Sequence, residues 1–211
     1  MTHLYRTQTT GNRRKFTIST WIKFGGSYGS SGAIILNTDG DNTNRNFMFQ
    51  LNSDKIKLHL YGGDVFTTSR FIRDYSGWYH IVLGIDTTQA SAGDRVKLYV
   101  NGELQSITQE SLYPAQNFEF GVGDNGRVMS IMGDHDNSNN YDNRSYLSHY
   151  HFCDGYQYQA SDFGSTDATT GEWKINTNPS VSYGSTGFFL KFENSSNLTL
   201  DSGGNSISFS T

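Results

Sequence analysis

The chain has 211 residues, of which 17% are charged and 14% aromatic, with five glutamates in all. Aromatic richness at this level excludes a disordered chain, the charged fraction lies below the about 25% of an average soluble domain, and the scarcity of the strong helix formers Ala, Leu, Glu and Lys argues against a helical one. The net charge of −4 provides no field to draw in polyanions, so nucleic acid is not an expected partner.

Met1 to Arg6 holds no apolar run of the kind that opens a secretory signal, and nowhere does an apolar stretch approach the ~18 residues of a membrane span. The expectation is a protein made without a leader and without a membrane span. Arg13, Arg14 and Lys15 form the one compact basic cluster, and three cations ahead of a strand read as a solvated turn. Over residues 16–24 large apolar residues alternate with polar ones, Phe16 and Ile18 on one face, Thr17 and Ser19 on the other. A phase slip at Trp21-Ile22 then implies a bulge or burial of both faces. Residues 33–38 read as a buried strand and residues 39–44 as its turn. Residues 47–51 and 55–61 form a hairpin pattern in which Ile56, Leu58 and Leu60 face inward and Lys55, Lys57 and His59 outward.

Residues 78–86 and 94–100 follow as strands, the second running into Asn101-Gly102, a strong hairpin signal. Later strand candidates are residues 129–132, 145–152, 187–192 and 207–209. The helical signal is confined to a capped turn at residues 161–164. About 10–13 short strands at regular spacing, with no linker-like break, predict an all-β two-sheet antiparallel sandwich in one domain. That domain covers residues 1–211, with a core of about 4–195 and a polar C-terminal segment, 196–211.

The stretch from Gly77 through Trp78-Tyr79-His80-Ile81 to Thr88, with Leu98-Tyr99-Val100-Asn101-Gly102 after it, resembles the laminin-G-like/concanavalin A-like jelly-roll superfamily. Phe16-Thr17-Ile18-Ser19-Thr20-Trp21-Ile22-Lys23 is similar to that family's first inner strand. More narrowly, residues 146–155 resemble a variant found in tailed-phage virion proteins, especially marine ones. Ser161-Asp162-Phe163-Gly164, residues 169–174 and residues 187–195 follow the rest of that variant's pattern. Ser145 and His149 stand where the variant usually has Gly and Glu, so a site built on that acidic position is not carried over. The resemblance implies a jelly-roll fold and a virion protein, either a capsid decoration subunit or a tail-associated lectin-like module. Its implied partners are other virion proteins, its own copies in a homo-oligomer, and cell-surface polysaccharide.

Three chemistries are weighed on the residues. The jelly roll hosts β-glucanases, whose retaining mechanism needs two carboxylates about 5–5.5 Å apart, supplied by acids alternating along one strand face. None of Glu103, Glu110, Glu119, Glu172 and Glu193 sits two residues from an aspartate in that pattern, so the expectation is no enzyme. Ca²⁺ would need about 6–8 oxygens; residues 39–44 and 134–143 are rich enough in Asp and Asn, and Asp134, Asp136 and Asp142 are the candidate ligands. The same residues also simply build turns. Sugar recognition wants an aromatic face beside polar groups, and Tyr28, Tyr61, Tyr141, Tyr156 and Tyr158, in or beside loops, are the candidate contacts to glycan or partner.

The remaining reactive types read as structural. His80, at a strand centre, is expected to be a satisfied core histidine, and Cys153 a buried inert thiol. His149 and His151 are spaced to share a strand face, where two imidazoles could meet Zn²⁺, but no third ligand stands at a recognisable offset. Trp21, Trp78 and Trp173 read as core anchors. The function expected is a non-enzymatic virion protein, with a free carbohydrate-binding lectin or a degenerate glycanase as the alternative.

Overall fold

The computed structural model describes residues 3–29, 32–38, 46–135 and 144–211. Its strands, in chain order, begin with β1 Leu4–Thr7, β2 Lys15–Lys23, β3 Ala33–Thr38, β4 Phe47–Asn52, β5 Lys55–Leu60, β6 Gly63–Phe71 and β7 Tyr79–Asp86. They continue as β8 Val96–Val100, β9 Glu103–Leu104, β10 Ile107–Gln109, β11 Val128–Ile131, β12 Tyr146–Asp154, β13 Gly164–Thr166, β14 Trp173–Ile175 and β15 Phe188–Leu190. Seven form one sheet in the order β1-β11-β3-β4-β5-β6-β10, and six form the other, β15-β12-β2-β7-β8-β9. β13 and β14 make a separate two-stranded ribbon. The all-β, two-sheet antiparallel jelly-roll expectation is met.

The local causes are those of the sequence pattern. In β5, Ile56, Leu58 and Leu60 are buried while Lys55, Lys57 and His59 are not, the period-2 alternation of a half-buried strand. Ser53 (φ 50°) and Asp54 (φ 60°) both take left-handed backbone to turn β4 into β5, and Asn101 (φ 49°) with Gly102 (φ 83°) does the same between β8 and β9. Between the sheets, Phe16, Phe47 and Phe120 meet edge to face at 5.6–5.9 Å, the geometry that suits aromatic quadrupoles. Ile18, Ile22, Phe49, Leu58, Phe66, Ile81, Leu83 and Phe152 complete this buried layer.

Several expectations need correcting. The phase slip in β2 is absent, since Phe16, Ile18 and Ile22 all stay in the main core, but the burial of both faces expected with it is found: Thr17 and Ser19 are buried and Trp21 is part-buried under the covered outer face. Trp78 is not a core anchor; it precedes β7 and is 43% exposed. Asp94 and Arg95 belong to a helical turn, Ala92–Arg95, rather than to β8. β6, with Thr67, Thr68 and Ser69 in its middle, was not anticipated, and residues 207–209 form no strand.

The C-terminal segment instead closes one side of the sandwich. Tyr5 exchanges backbone hydrogen bonds with Ser210 at 3.0 and 2.8 Å, and Phe209 packs edge-on against Phe188 at 4.9 Å. The segment thus spans from β1, at the edge of one sheet, to β15, at the edge of the other.

Candidate functional site

The outer face of the six-stranded sheet is covered by residues 155–187, which run across it and carry the β13–β14 ribbon and a 3₁₀ turn, Ala160–Asp162. Glycines make the close approach. A Cβ on Gly84, in mid-β7, would stand 2.9 Å from the Tyr158 carbonyl oxygen, and Cβ atoms on Gly102 and Gly164 would run into the Trp173 indole. Val82, Cys153, Ala160 and Phe163 form a second small core here, flanked by Tyr99, Tyr158, Trp173, Val181 and Tyr183.

An aromatic seam runs through this layer. His80 lies between two indoles, 5.2 Å from Trp21 and 6.0 Å from Trp173, with interplanar angles of 19° and 18°. Trp173 Nε1 donates to His80 Nδ1 at 3.0 Å. His151 stacks on Phe189 at 3.9 Å and shares a 2.9 Å hydrogen bond between its Nδ1 and the Tyr183 hydroxyl. Phe163 touches both histidines and meets Tyr158 edge-on at 6.0 Å. Burial lowers His80 to about 3 and holds His151 well below the usual histidine range, because a charged imidazole would lose its hydration there. The same burial raises Tyr183, Tyr158 and the Cys153 thiol.

The seam reaches solvent at Tyr156, 41% exposed, whose ring lies parallel to Tyr158 at 5.5 Å and 12°. The backbone is pinned from below: the Thr17 hydroxyl donates to the Tyr156 carbonyl at 2.7 Å and accepts the Tyr158 N–H at 2.8 Å. Ser182 N donates to the Tyr158 hydroxyl at 2.9 Å. Gln157 Nε2 donates to the Asp94 carbonyl at 3.0 Å, and Lys97 pairs with the Asp94 carboxylate at 2.8 Å. A preordered aromatic face with polar groups beside it is what stacking on the apolar face of a sugar ring requires.

The other candidates are distributed differently. Tyr61, 47% exposed, stands at the β5–β6 turn. Tyr28 is corrected from rim to core: it is 2% exposed, and its hydroxyl binds Gly25 N at 3.1 Å and Ser145 Oγ at 2.8 Å. Tyr141, Asp136 and Asp142 lie outside the described residues, as does the 39–44 turn. Asp134 is described and part-buried, and its charge acts on His3. Among the described residues no group of three or more His, Cys, Asp or Glu is placed to hold a metal ion.

A β-bulge in the β12–β2 pairing between Ser148 and His151, with His149 at φ 49°, breaks the simple alternation. Both rings still contact Phe189. Each member of the basic cluster is paired with acid: Arg13 with Glu119 and Asp124, Arg14 with Glu119, Lys15 with Asp86. An open, mostly apolar cavity of about 340 Å³ lies elsewhere, lined by His3, Leu4, Met132, Tyr146, Phe192 and Leu198 among others. Among the described residues no helix is long and apolar enough to cross a membrane.

The covering layer is not legible as a unit in the sequence. The available signals were Gly84 interrupting an otherwise apolar strand, and Ser19 and His80 at outward positions of strands whose neighbours are apolar.

Comparison with known proteins bears on the fold. No curated protein matches the sequence. The heptameric SAP-like pentraxin of Limulus polyphemus superposes with a TM-score of 0.50 at 15% identity, over 83% of this chain and 86% of that one. A Trypanosoma rangeli sialidase bound to sialic acid gives 0.47 at 10% identity, over 71% of this chain but 22% of its own. Botulinum neurotoxin type C, whose cell entry depends on two ganglioside molecules, gives 0.44 at 13% identity, over 72% and 35%. The last two, below 0.5, add nothing to the assignment. The model of the concanavalin A-like lectin/glucanases superfamily matches residues 3–143. With two-thirds of its length under that model and two antiparallel sheets as its frame, the chain belongs to the concanavalin A-like lectin/glucanase superfamily.

Proposed function

We propose that the chain is a non-enzymatic recognition module that grips glycan through the Tyr156–Tyr158 platform. The observation that carries this reading is the exposed Tyr156 ring, stacked in parallel on Tyr158 and held from below by Thr17. A lectin-like fold is compatible with it. The acids speak for binding rather than cleavage: Glu103, Glu119 and Glu193 are each engaged by a cation, and no alternating acid triplet lines a strand. Glycan-array binding by the purified chain, lost in Tyr156→Ala, is the expected result. Hydrolysis of a polysaccharide by the same preparation would overturn it.

The setting we propose is the surface of a phage virion, as a capsid decoration or tail-associated subunit in a symmetric homo-oligomer that also contacts other virion proteins. Support comes from the resemblance carried by residues 146–155, 161–164, 169–174 and 187–195. Images of intact particles with this chain labelled test the placement, and light scattering tests the oligomer. A chain found only free of particles would favour a free lectin instead.

A further inference from the structure

Two histidines sit where the covering layer meets the six-stranded sheet, and both are sealed from water: His80 is 1% exposed and His151 2%. Each is bonded to an aromatic residue of the layer, His80 to Trp173 and His151 to Tyr183. An indole N–H can only donate. His80 Nδ1 therefore carries its lone pair toward Trp173, and its Nε2–H donates to Ser19 Oγ at 2.9 Å. A second proton on this ring has only Nδ1 to occupy, where it would set N–H against N–H.

We infer that acid opens the covering layer: protonation of His80 and His151 releases residues 156–187 from the sheet and carries the Tyr156–Tyr158 platform away with them. That a ligand is released at the same time rests on the recognition reading above; the opening itself rests only on packing.

The groups facing the two rings supply no compensation. β12 brings His149 and Cys153, and the layer brings Tyr158, Tyr183 and Asp162, the last bonded to Gln159 N. β2 contributes Ser19 and the Trp21 indole, and Lys191 and Glu193, beyond β15, act on His149. Among the described residues no carboxylate is hydrogen-bonded to either imidazole. Burial raises the thiol and both phenols, so they stay neutral in acid.

The sign follows from linkage. A histidine kept neutral by the fold lends full stability above its ordinary pKa near 6.5 and loses it as pH falls from there toward the folded value, about 3 for His80. Within that window each histidine favours the open layer by up to tenfold per pH unit, and the pair by up to a hundredfold.

Hydrogen exchange followed by mass spectrometry at pH 7 and at about pH 4.5, corrected for intrinsic rates, reads the opening directly. Amides of residues 156–187 should lose protection at least a hundredfold relative to β4 and β5. A His80→Gln/His151→Gln double variant should lose most of that acid response. Equal loss in layer and core, or an undiminished response in the double variant, would overturn the inference. Should the double variant not fold, NMR titration of the wild-type imidazoles decides: neither ring titrating between pH 8 and 5 while the layer stays closed is expected, and either titrating near 6.5 with the layer closed refutes it. Glycan arrays at both pH values test the recognition reading separately, since exchange is measured without ligand.

Discussion

The carboxylate of Asp201 accepts the backbone N–H of Phe189 at 2.9 Å, so the C-terminal segment is fastened to the last strand of the six-stranded sheet. The same carboxylate takes Gly203 N at 2.7 Å and Ile207 N at 3.0 Å. Asp201→Ala strands three amide donors, and hydrogen bonds to a charged group are worth about 1.5–3 kcal/mol each with partial replacement by water. A loss of about 3 kcal/mol in urea unfolding is expected, together with exposure of Phe209.

Tyr156→Ala should leave stability within about 0.5 kcal/mol, because the ring is 41% exposed. Glycan affinity should fall about 5- to 15-fold, the worth of one stacked aromatic face at about 1–1.5 kcal/mol. Calorimetric titration with the best array ligand measures it.

Gly84→Ala places a methyl 2.9 Å from the Tyr158 carbonyl and 3.1 Å from Gln157 Cγ. Overpacking of this kind costs about 1–3 kcal/mol. The sheet should survive while protection across residues 156–163 weakens and glycan binding falls, a split that exchange and binding read together.

Local pattern made some of this architecture readable and hid the rest. β5 shows its alternation in six residues, and Asn101-Gly102 announces a turn because few other pairs tolerate left-handed backbone twice. His80 was legible as a satisfied core histidine because an imidazole amid Tyr79, Ile81 and Val82 must find partners inside. Its partners, Ser19 and Trp173, are 61 and 93 residues away, and no local period encodes those meetings. β6 escaped notice because Thr68 is a buried polar residue whose hydroxyl accepts Ile56 N at 3.1 Å and donates to the Arg70 carbonyl at 3.0 Å. Trp78 misled because size suggests burial, whereas its place just before β7 leaves it on the surface. Tyr28 misled the opposite way, as a loop tyrosine whose hydroxyl found Ser145 across the fold.

Asp86 sets a carboxylate counterpart to the histidines. Burial pushes its pKa up, but donors from Lys15 Nζ (2.8 Å), the Thr88 hydroxyl (2.6 Å), Gln89 Nε2 (2.8 Å) and Thr88 N outweigh that and hold it below the usual aspartate value. A lowered carboxylate pKa gives stability that is present above about 3.9 and is lost as pH falls through the folded value. Asp86→Asn should therefore cost about 2–3 kcal/mol at pH 7 and progressively less below pH 4, measured by urea unfolding across that range.

Cys153 is fully buried, and burial drives its thiol well above the ordinary cysteine range. Since the thiolate is the reactive form, a colorimetric disulfide reagent should find no thiol in the native protein at pH 8 and one after denaturation. Fast reaction of the native chain would mean that the layer over β12 is open under those conditions.

The pairing of Tyr5 with Ser210 sets the start of β1 beside the far end of the segment that follows β15. With positions 5 and 210 side by side, the stretch between them enters and leaves the sandwich through a single doorway, a geometry that suits splicing it into a surface loop of another protein. Tension applied between those two residues would be borne first by their two hydrogen bonds, leaving the face that carries Tyr156 undisturbed until they peel.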